Sequence, residues 1–410
     1  MFKIIRNTLF VPSAFEDKFD ATCFNIILFD IFFVPLFPWF SISVSLPILL
    51  LWYIQKGYLT KFEPEHKHFP VVVVLMAMST LLSLVGFEDA SYNTDFFTSF
   101  KRFVQYTTSF CYFFFFMYFF VQYQRKITNI VFWGIVYITL FALIYYFYQD
   151  TFIHFKQVVC RFDPQVNRWL DGNILAVYRF NFLWADPNNV AYAITSLALF
   201  YIIEEKESAF KKYIVLVCLL YVLLCTMSFG GLGVAAILIP YVCLFSDRFR
   251  SGDSSIIIGV LAIILIIGFI SYNFDYLYQV YDSGIRTRQD LYGADGMSGG
   301  GGRWKDFLRG INNFNPLFLI VGSGQEGFVT EIGHIYVWYM YGLPVYIYFL
   351  YILFRKRARQ TVIEYLPIVP MFVGFTMNIA IGEQKYLLLL LLISAYYSAK
   401  SYKLKIDIIK

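Results

Sequence analysis

Apolar residues run through this chain in long blocks, not at the alternating or three-to-four spacing of a half-wetted element. Such windows fall near 22–36, 39–55, 70–87, 103–123, 128–148, 188–203, 213–228, 231–246, 254–273, 334–354, 362–380 and 385–399. Most are close to the ~20 residues that a helix needs to cross a hydrocarbon core. The pattern predicts an all-α integral membrane protein of about twelve transmembrane helices, with 1–410 as a single polytopic domain. Pro35 and Pro38 interrupt the first two windows and allow a broken hairpin there. Two long polar stretches, 149–187 and 274–333, separate groups of windows and should carry short helices of their own.

Composition agrees. Hydrophobic residues make up 59% of the chain and charged residues 15%, against about a quarter charged in soluble domains. That excludes an ordinary water-soluble globule. The 47 Phe and 33 Tyr suit membrane interfaces, although AT-rich coding would produce the same bias. Cys23, Cys111, Cys218, Cys225 and Cys243 fall in or beside apolar windows, and Cys160 stands in a long loop. Neither a disulfide framework nor a metal site is expected from that spacing. No cleavable signal peptide is expected either, because Glu16, Asp17 and Lys18 precede the first apolar run and no small-residue cleavage site follows it.

Charge placement orients the windows. Lys56, Lys61 and Lys67, Arg125-Lys126, Lys211-Lys212, Arg248 and Arg250, the run Arg355-Lys356-Arg357-Ala358-Arg359, and the tail with Lys400, Lys403, Lys405 and Lys410 obey one alternation. Short basic loops stay cytoplasmic, so both termini are expected on the cytoplasmic side. Lys101-Arg102 is the short-loop pair on the opposite side. The same alternation places roughly 149–187 and 274–333 outside the cytoplasm, with Arg161, Arg168, Arg179, Arg286, Arg288, Arg303 and Arg309. A single loop arginine is usually just solvated; the group implies an anionic partner.

The first loop ends in Tyr178-Arg179-Phe180 and, shortly after, Asp186-Pro187-Asn188-Asn189. The Asp-Pro-Asn step is a turn and helix-start signature, and it would hold Arg179 beside a helix N-terminus that favours anions. In the second loop Gly299–Gly302 precede Arg303-Trp304-Lys305, and Trp304, Phe307, Leu308 and Ile311 share a face at helical spacing. An amphipathic surface helix is expected near 303–313. Further on, Gly322-Ser323-Gly324 could bring backbone amides to an anion, and His334 opens the next window. A helix N-terminus disfavours added positive charge, which would keep His334 neutral, as a general base requires. His154, Glu326, Glu331 and Asp186 are rival bases.

Taken in order, Arg179-Phe with Asp186-Pro-Asn-Asn, Thr226-Met-Ser-Phe-Gly-Gly, Gly302-Arg303-Trp304, Asn315-Pro-Leu, Gly322-Ser-Gly324 and His334 resemble the O-antigen polymerase and ligase superfamily, over roughly 175–355. The resemblance implies a metal-independent membrane glycosyltransferase that needs no cofactor and uses a polyprenyl-diphosphate-linked oligosaccharide as donor. It implies Arg179 and Arg303 on the diphosphate, with His334 near the reacting hydroxyl. Arg286, Arg288, Asp186, Asn188, Trp304, Gly322 and Gly324 would line the substrate. Its partners would be membrane lipid and a chain-length regulator protein, not nucleic acid. Phe229 stands where the family's Thr-x-Ser segment continues with arginine, which leaves Arg286 or Arg288 to supply that cation. The interval from His334 to Gly342 is shorter than in the ligase branch, which favours the polymerase.

Three other readings compete. A ligase would pass the glycan to lipid A core instead of to a lipid-linked repeat. A polysaccharide-lipid flippase would use intramembrane charges such as Asp30, and a structural scaffold would not need clustered periplasmic arginines.

Overall fold

The computed structural model describes residues 17–35, 42–56, 65–84, 96–160, 178–184, 186–206, 208–245, isolated positions between 271 and 282, 316, 318–324, 332–354, 361–377 and 383–409. Among these the architecture is all-α, with no strand. In chain order the helices are α1 (Lys18–Phe33), α2 (Leu46–Lys56), α3 (Glu65–Leu82), α4 (Phe96–Gln122), α5 (Thr128–Phe147), α6 (Gln149–Val159) and α7 (Pro187–Glu204). They continue as α8 (Ala209–Thr226), α9 (Phe229–Phe245), α10 (Phe318–Val321), α11 (Gly333–Tyr341), α12 (Leu343–Phe354), α13 (Val369–Met377) and α14 (Gln384–Ile409). Local chemistry sets several starts. The side chains of Asp17, Asp186 and Ser208 accept from Phe19, Asn188 and Lys211 amides, and Pro187 occupies the first turn of α7, where its missing N–H costs nothing.

α7 is the hub. It is buried on every side from Asn189 to Ile203 and packs against α5, α8, α9, α13 and α14. α14 lies along α4, with Phe120 edge-on to Tyr396 at 5.2 Å and Phe200 edge-on to the same ring at 5.0 Å. Elsewhere the usual order is reversed. Val71, Val74, Met78 and Leu81 form one face of α3, and Leu140, Ile144 and Phe147 one face of α5, yet these faces are exposed. A helix in water hides such a stripe. By length and composition α4 and α5 could each cross a membrane.

Ion pairs and a cation–ring contact mark several helix ends. Lys400 reaches Glu204 at 3.1 Å and Glu364 at 2.8 Å, and Lys211 lies over the Phe132 ring at the start of α5. Lys56 pairs with Asp17 and with buried Asp20, each at 3.1 Å, and Tyr123 donates to Asp20 from the end of α4. Lys56 holds the Asp17 carboxyl below its ordinary range.

Several windows resolve differently from the sequence expectation. Of the stretch 39–55, described from 42 onward, the helical part is α2. The window 362–380, as far as it is described, is a 3₁₀ turn, Val362–Tyr365, followed by α13. The polar stretch 149–187 opens with α6, whose Phe152 and Ile153 are buried. Windows 254–273 and the expected helix near 303–313 lie outside the described residues, apart from isolated positions.

The window 334–354 is not one span. Tyr346 meets His334 at 3.0 Å although they are 12 residues apart; a straight helix would separate them by about 18 Å. The chain folds back at Gly342, at φ +88°, so α11 and α12 pack on each other as a hairpin. A Cβ on Gly342 would collide with the Ile320 carbonyl, and one on Gly324 with the Ser79 carbonyl. Gly342→Ala and Gly324→Ala are each expected to destabilise by at least ~2 kcal/mol. A lowered thermal midpoint in detergent checks this.

Candidate functional site

Two sequence motifs far apart in the chain meet at the α7–α8–α9 junction. α8 ends at Thr226, and Met227 turns the chain in the left-handed region, φ +48°. Arg179 reaches this end: Nε donates to the Thr226 carbonyl at 3.0 Å and Nη2 to the Met227 carbonyl at 3.2 Å. The last carbonyls of a helix carry partial negative charge and no helical partner, so a guanidinium suits them. Nη2 also approaches Asn188 Oδ1 at 3.3 Å. That oxygen accepts from Ser228 Oγ at 2.8 Å, and Ser228 Oγ in turn accepts from the Gly231 amide at 3.2 Å. Asp186 Oδ1 accepts from the Asn188 amide at 2.6 Å, capping α7. The Phe180 amide donates to the Cys225 carbonyl at 3.0 Å and lays the arginine's backbone along α8.

Glycines permit the approach. A Cβ on Gly230 would strike the Tyr192 hydroxyl, and one on Gly231 the Ala191 methyl, so α9 can lie directly on α7. Gly374 does the same for α13 against the Tyr386 hydroxyl and the Tyr192 ring. Phe229, at the position where the resemblance leads one to look for arginine, is exposed at the start of α9.

His334 stands in the first turn of α11. It is half-buried, between Phe372 with ring centroids 4.5 Å apart, Phe375 at 5.7 Å and Tyr346 at 5.9 Å. Nε2 lies 3.1 Å from the Phe372 carbonyl and Nδ1 3.0 Å from the Tyr346 hydroxyl. A carbonyl only accepts, so Nε2 carries the proton and Nδ1 accepts from Tyr346 in the neutral ring. A base at Nδ1 must therefore work through or displace Tyr346. Edge-on ring contacts link His334 to the Arg179 region: Phe375 meets Tyr386 at 5.5 Å, and Tyr386 meets Trp184 at 6.2 Å.

Gly322 and Gly324 do not present free amides. The Ser323 and Gly324 amides donate to the Tyr339 and Met340 carbonyls at 2.8 and 2.9 Å, and the Gly322 amide to Phe318 at 3.0 Å. Their positive φ values serve close packing, of Gly322 on the α11–α12 apex and of Gly324 on the Ser79 carbonyl of α3. His154 is exposed on α6. Arg303, Trp304, Arg286, Arg288, Glu326 and Glu331 lie outside the described residues.

Compared with known proteins, the chain matches no family model, no curated protein and no solved structure at a significant level.

Buried polar groups that the apolar pattern conceals complete the picture. Lys385, 1% exposed, pairs with Asp30 at 3.0 Å and donates to the Asp30 carbonyl at 2.6 Å and to that of Val34. Asp30 also accepts from the Ser45 amide at 2.9 Å and from the Ser43 hydroxyl, and Gln384 joins Ser43 to Thr108. Asp30 is thus half of an ion pair that joins α1 to the first turn of α14. Lys385 was visible as a charge at the edge of an apolar window. Lys156, buried on α6, gave no such signal, because charges are ordinary in a polar loop.

Proposed function

We propose that the chain is a multi-pass inner-membrane protein of the O-antigen polymerase kind. It would transfer a glycan from a polyprenyl-diphosphate donor onto a lipid-linked repeat at the periplasmic face. One observation carries the reading: Arg179, Asn188, Asp186 and Ser228 converge between helix ends, at the opposite end of α7 from Glu204 and its Lys400 partner. An 18-residue helix separates those ends by about 27 Å, close to a hydrocarbon core of ~30 Å. The outward apolar stripes of α3 and α5 support immersion in lipid. If the basic end faces the cytoplasm, Arg179 faces the periplasm, where a lipid-linked diphosphate lies at the interface.

The chemistry suits permanent cations. A glycosyl diphosphate departs as a stabilised anion, so bond cleavage calls for positive charge more than for a general acid. Arg179 would contribute part of that charge and Arg303 the rest, while His334 acting through Tyr346, or a loop carboxylate, would take the proton from the attacking hydroxyl. Arg303→Ala is expected to leave the protein inserted but limit lipopolysaccharide to one repeat; a normal ladder of long chains on a gel would argue against the assignment. His334→Ala should slow extension by ~10²–10⁴, and full activity would move the base elsewhere. Deleting the gene separates the outcomes: a one-repeat product for a polymerase, undecorated core with accumulated lipid-linked polymer for a ligase, and loss of all repeats for a flippase.

A transporter reading has its own support. α11 is a short helix interrupted at Gly342, and the Asp30–Lys385 pair lies buried between helices; transporters use both devices. Essential loop arginines favour the enzyme, and an essential Asp30 whose role survives pair-neutral replacement of Lys385 favours transport.

A further inference from the structure

The segment 178–184 holds Arg179, and its shape is not self-supporting. Phe182 sits at φ +50°, a region that side chains other than glycine seldom adopt. Within the turn, the Trp184 amide donates to the Asn181 carbonyl at 3.0 Å and the Tyr178 hydroxyl to Asn181 Oδ1 at 3.0 Å. From outside, Tyr145 on α5 donates to the Tyr178 carbonyl. Lys156 on α6 donates both to Asn181 Oδ1 and to the Trp184 carbonyl, the latter at 2.6 Å. Lys156, Asn181 and Phe180 are wholly buried, and Tyr178 and Trp184 nearly so. Two oxygens on opposite sides of one turn therefore converge on one amine. A lysine amine can serve both; a methionine of the same length serves neither. The segment's other side lies along α8, through the Phe180 amide and the Arg179 guanidinium.

We infer that Lys156 is a positioning residue: it closes the 178–184 turn from beneath, and so sets where Arg179 stands relative to the ends of α7 and α8. For diphosphate binding the inference rests on the proposed function; for the placement of residue 179 it does not. In that role the amine touches no substrate. Its removal should shift whatever side chain stands at 179, and for diphosphate binding it should cost nothing further where Arg179 is already gone.

The test uses the full-length chain in nanodiscs, freed of its native cysteines. Arg179→Cys is labelled with a maleimide in the presence of Lys156 and again with Lys156→Met. The expected change in labelling rate is about tenfold or more, as a displacement of about 1 Å or more at a buried junction produces large kinetic effects. A cysteine at Ala198, buried in α7, should stay unlabelled and report an intact bundle. Asn181→Ala, which removes an acceptor and keeps the lysine, should reproduce the change, and it serves alone if Lys156→Met does not fold. Unchanged labelling at 179 in the variants that fold overturns the inference. In parallel, farnesyl diphosphate binding is measured with Arg179 present. Lys156→Met should weaken it about tenfold, with no further loss in the Arg179→Ala background. Equal affinity for the wild type and Lys156→Met, or multiplicative losses in the double variant, also overturns it. A wild type that binds no farnesyl diphosphate, with labelling changed as expected, sinks the diphosphate reading and leaves the positioning role standing.

Discussion

Arg179→Lys is expected to leave the protein inserted and folded while reducing chain extension by about a hundredfold. The guanidinium spans two carbonyls and Asn188 at once, with Nε on Thr226 and Nη2 between Met227 and the amide oxygen. A lysine places a single ammonium on a flexible stem and cannot hold all three of these acceptors at once. Arg179→Ala should abolish extension outright. It also leaves the Thr226 and Met227 carbonyls short of a donor, at about 1–3 kcal/mol, so protein level must be measured beside activity. The readout is the lipopolysaccharide ladder in a deletion strain carrying each variant at matched abundance. A full ladder from Arg179→Lys would show that charge alone suffices; a full ladder from Arg179→Ala would remove Arg179 from the chemistry.

The second large effect concerns stability. Lys385→Met or Asp30→Leu alone should cost roughly 3–5 kcal/mol, since either leaves a buried charge unpaired. The double replacement should recover most of that loss, because an apolar pair of similar volume needs no desolvation of ions. Ser43, Ser45 and Gln384, which now point at Asp30 and its neighbours, would limit the recovery. Thermal unfolding in nanodiscs measures all three variants. Single variants that melt no lower than the double would mean that the pair is already open in the membrane.

Much of the fold was legible in the sequence, and the reasons are physical. α5, α7, α8 and α9 follow their windows within a few residues, because an uninterrupted apolar run has only one way to satisfy its backbone away from water. The Asp186-Pro187 step marked the start of α7 because a cap and a first-turn proline are local chemistry. What stayed hidden is non-local. Gly342 looks like any glycine in an apolar run, and only the contacts of Gly322 and Gly324 with the α11–α12 apex show why the chain turns there. The amides of Ser323 and Gly324 were open to capture an anion so far as the sequence went; their partners, Tyr339 and Met340, are distant in sequence. The same holds for the meeting of Arg179 with Thr226, 47 positions away. Asp30 was noticed as a lone intramembrane charge, and its partner lies 355 positions along.

The fold-back at Gly342 has a consequence for depth. The apolar arm of α12 is 12 residues long and α11 is 9, roughly 18 and 13 Å, against a hydrocarbon thickness of ~30 Å. Each arm, over its described residues, is shorter than that thickness, and packed neighbouring helices, a dent of thinned lipid or water must make up the difference. A dent of that kind next to His334 would let a sugar hydroxyl descend below the level of the surrounding phosphates while its isoprenoid chain stayed in oil.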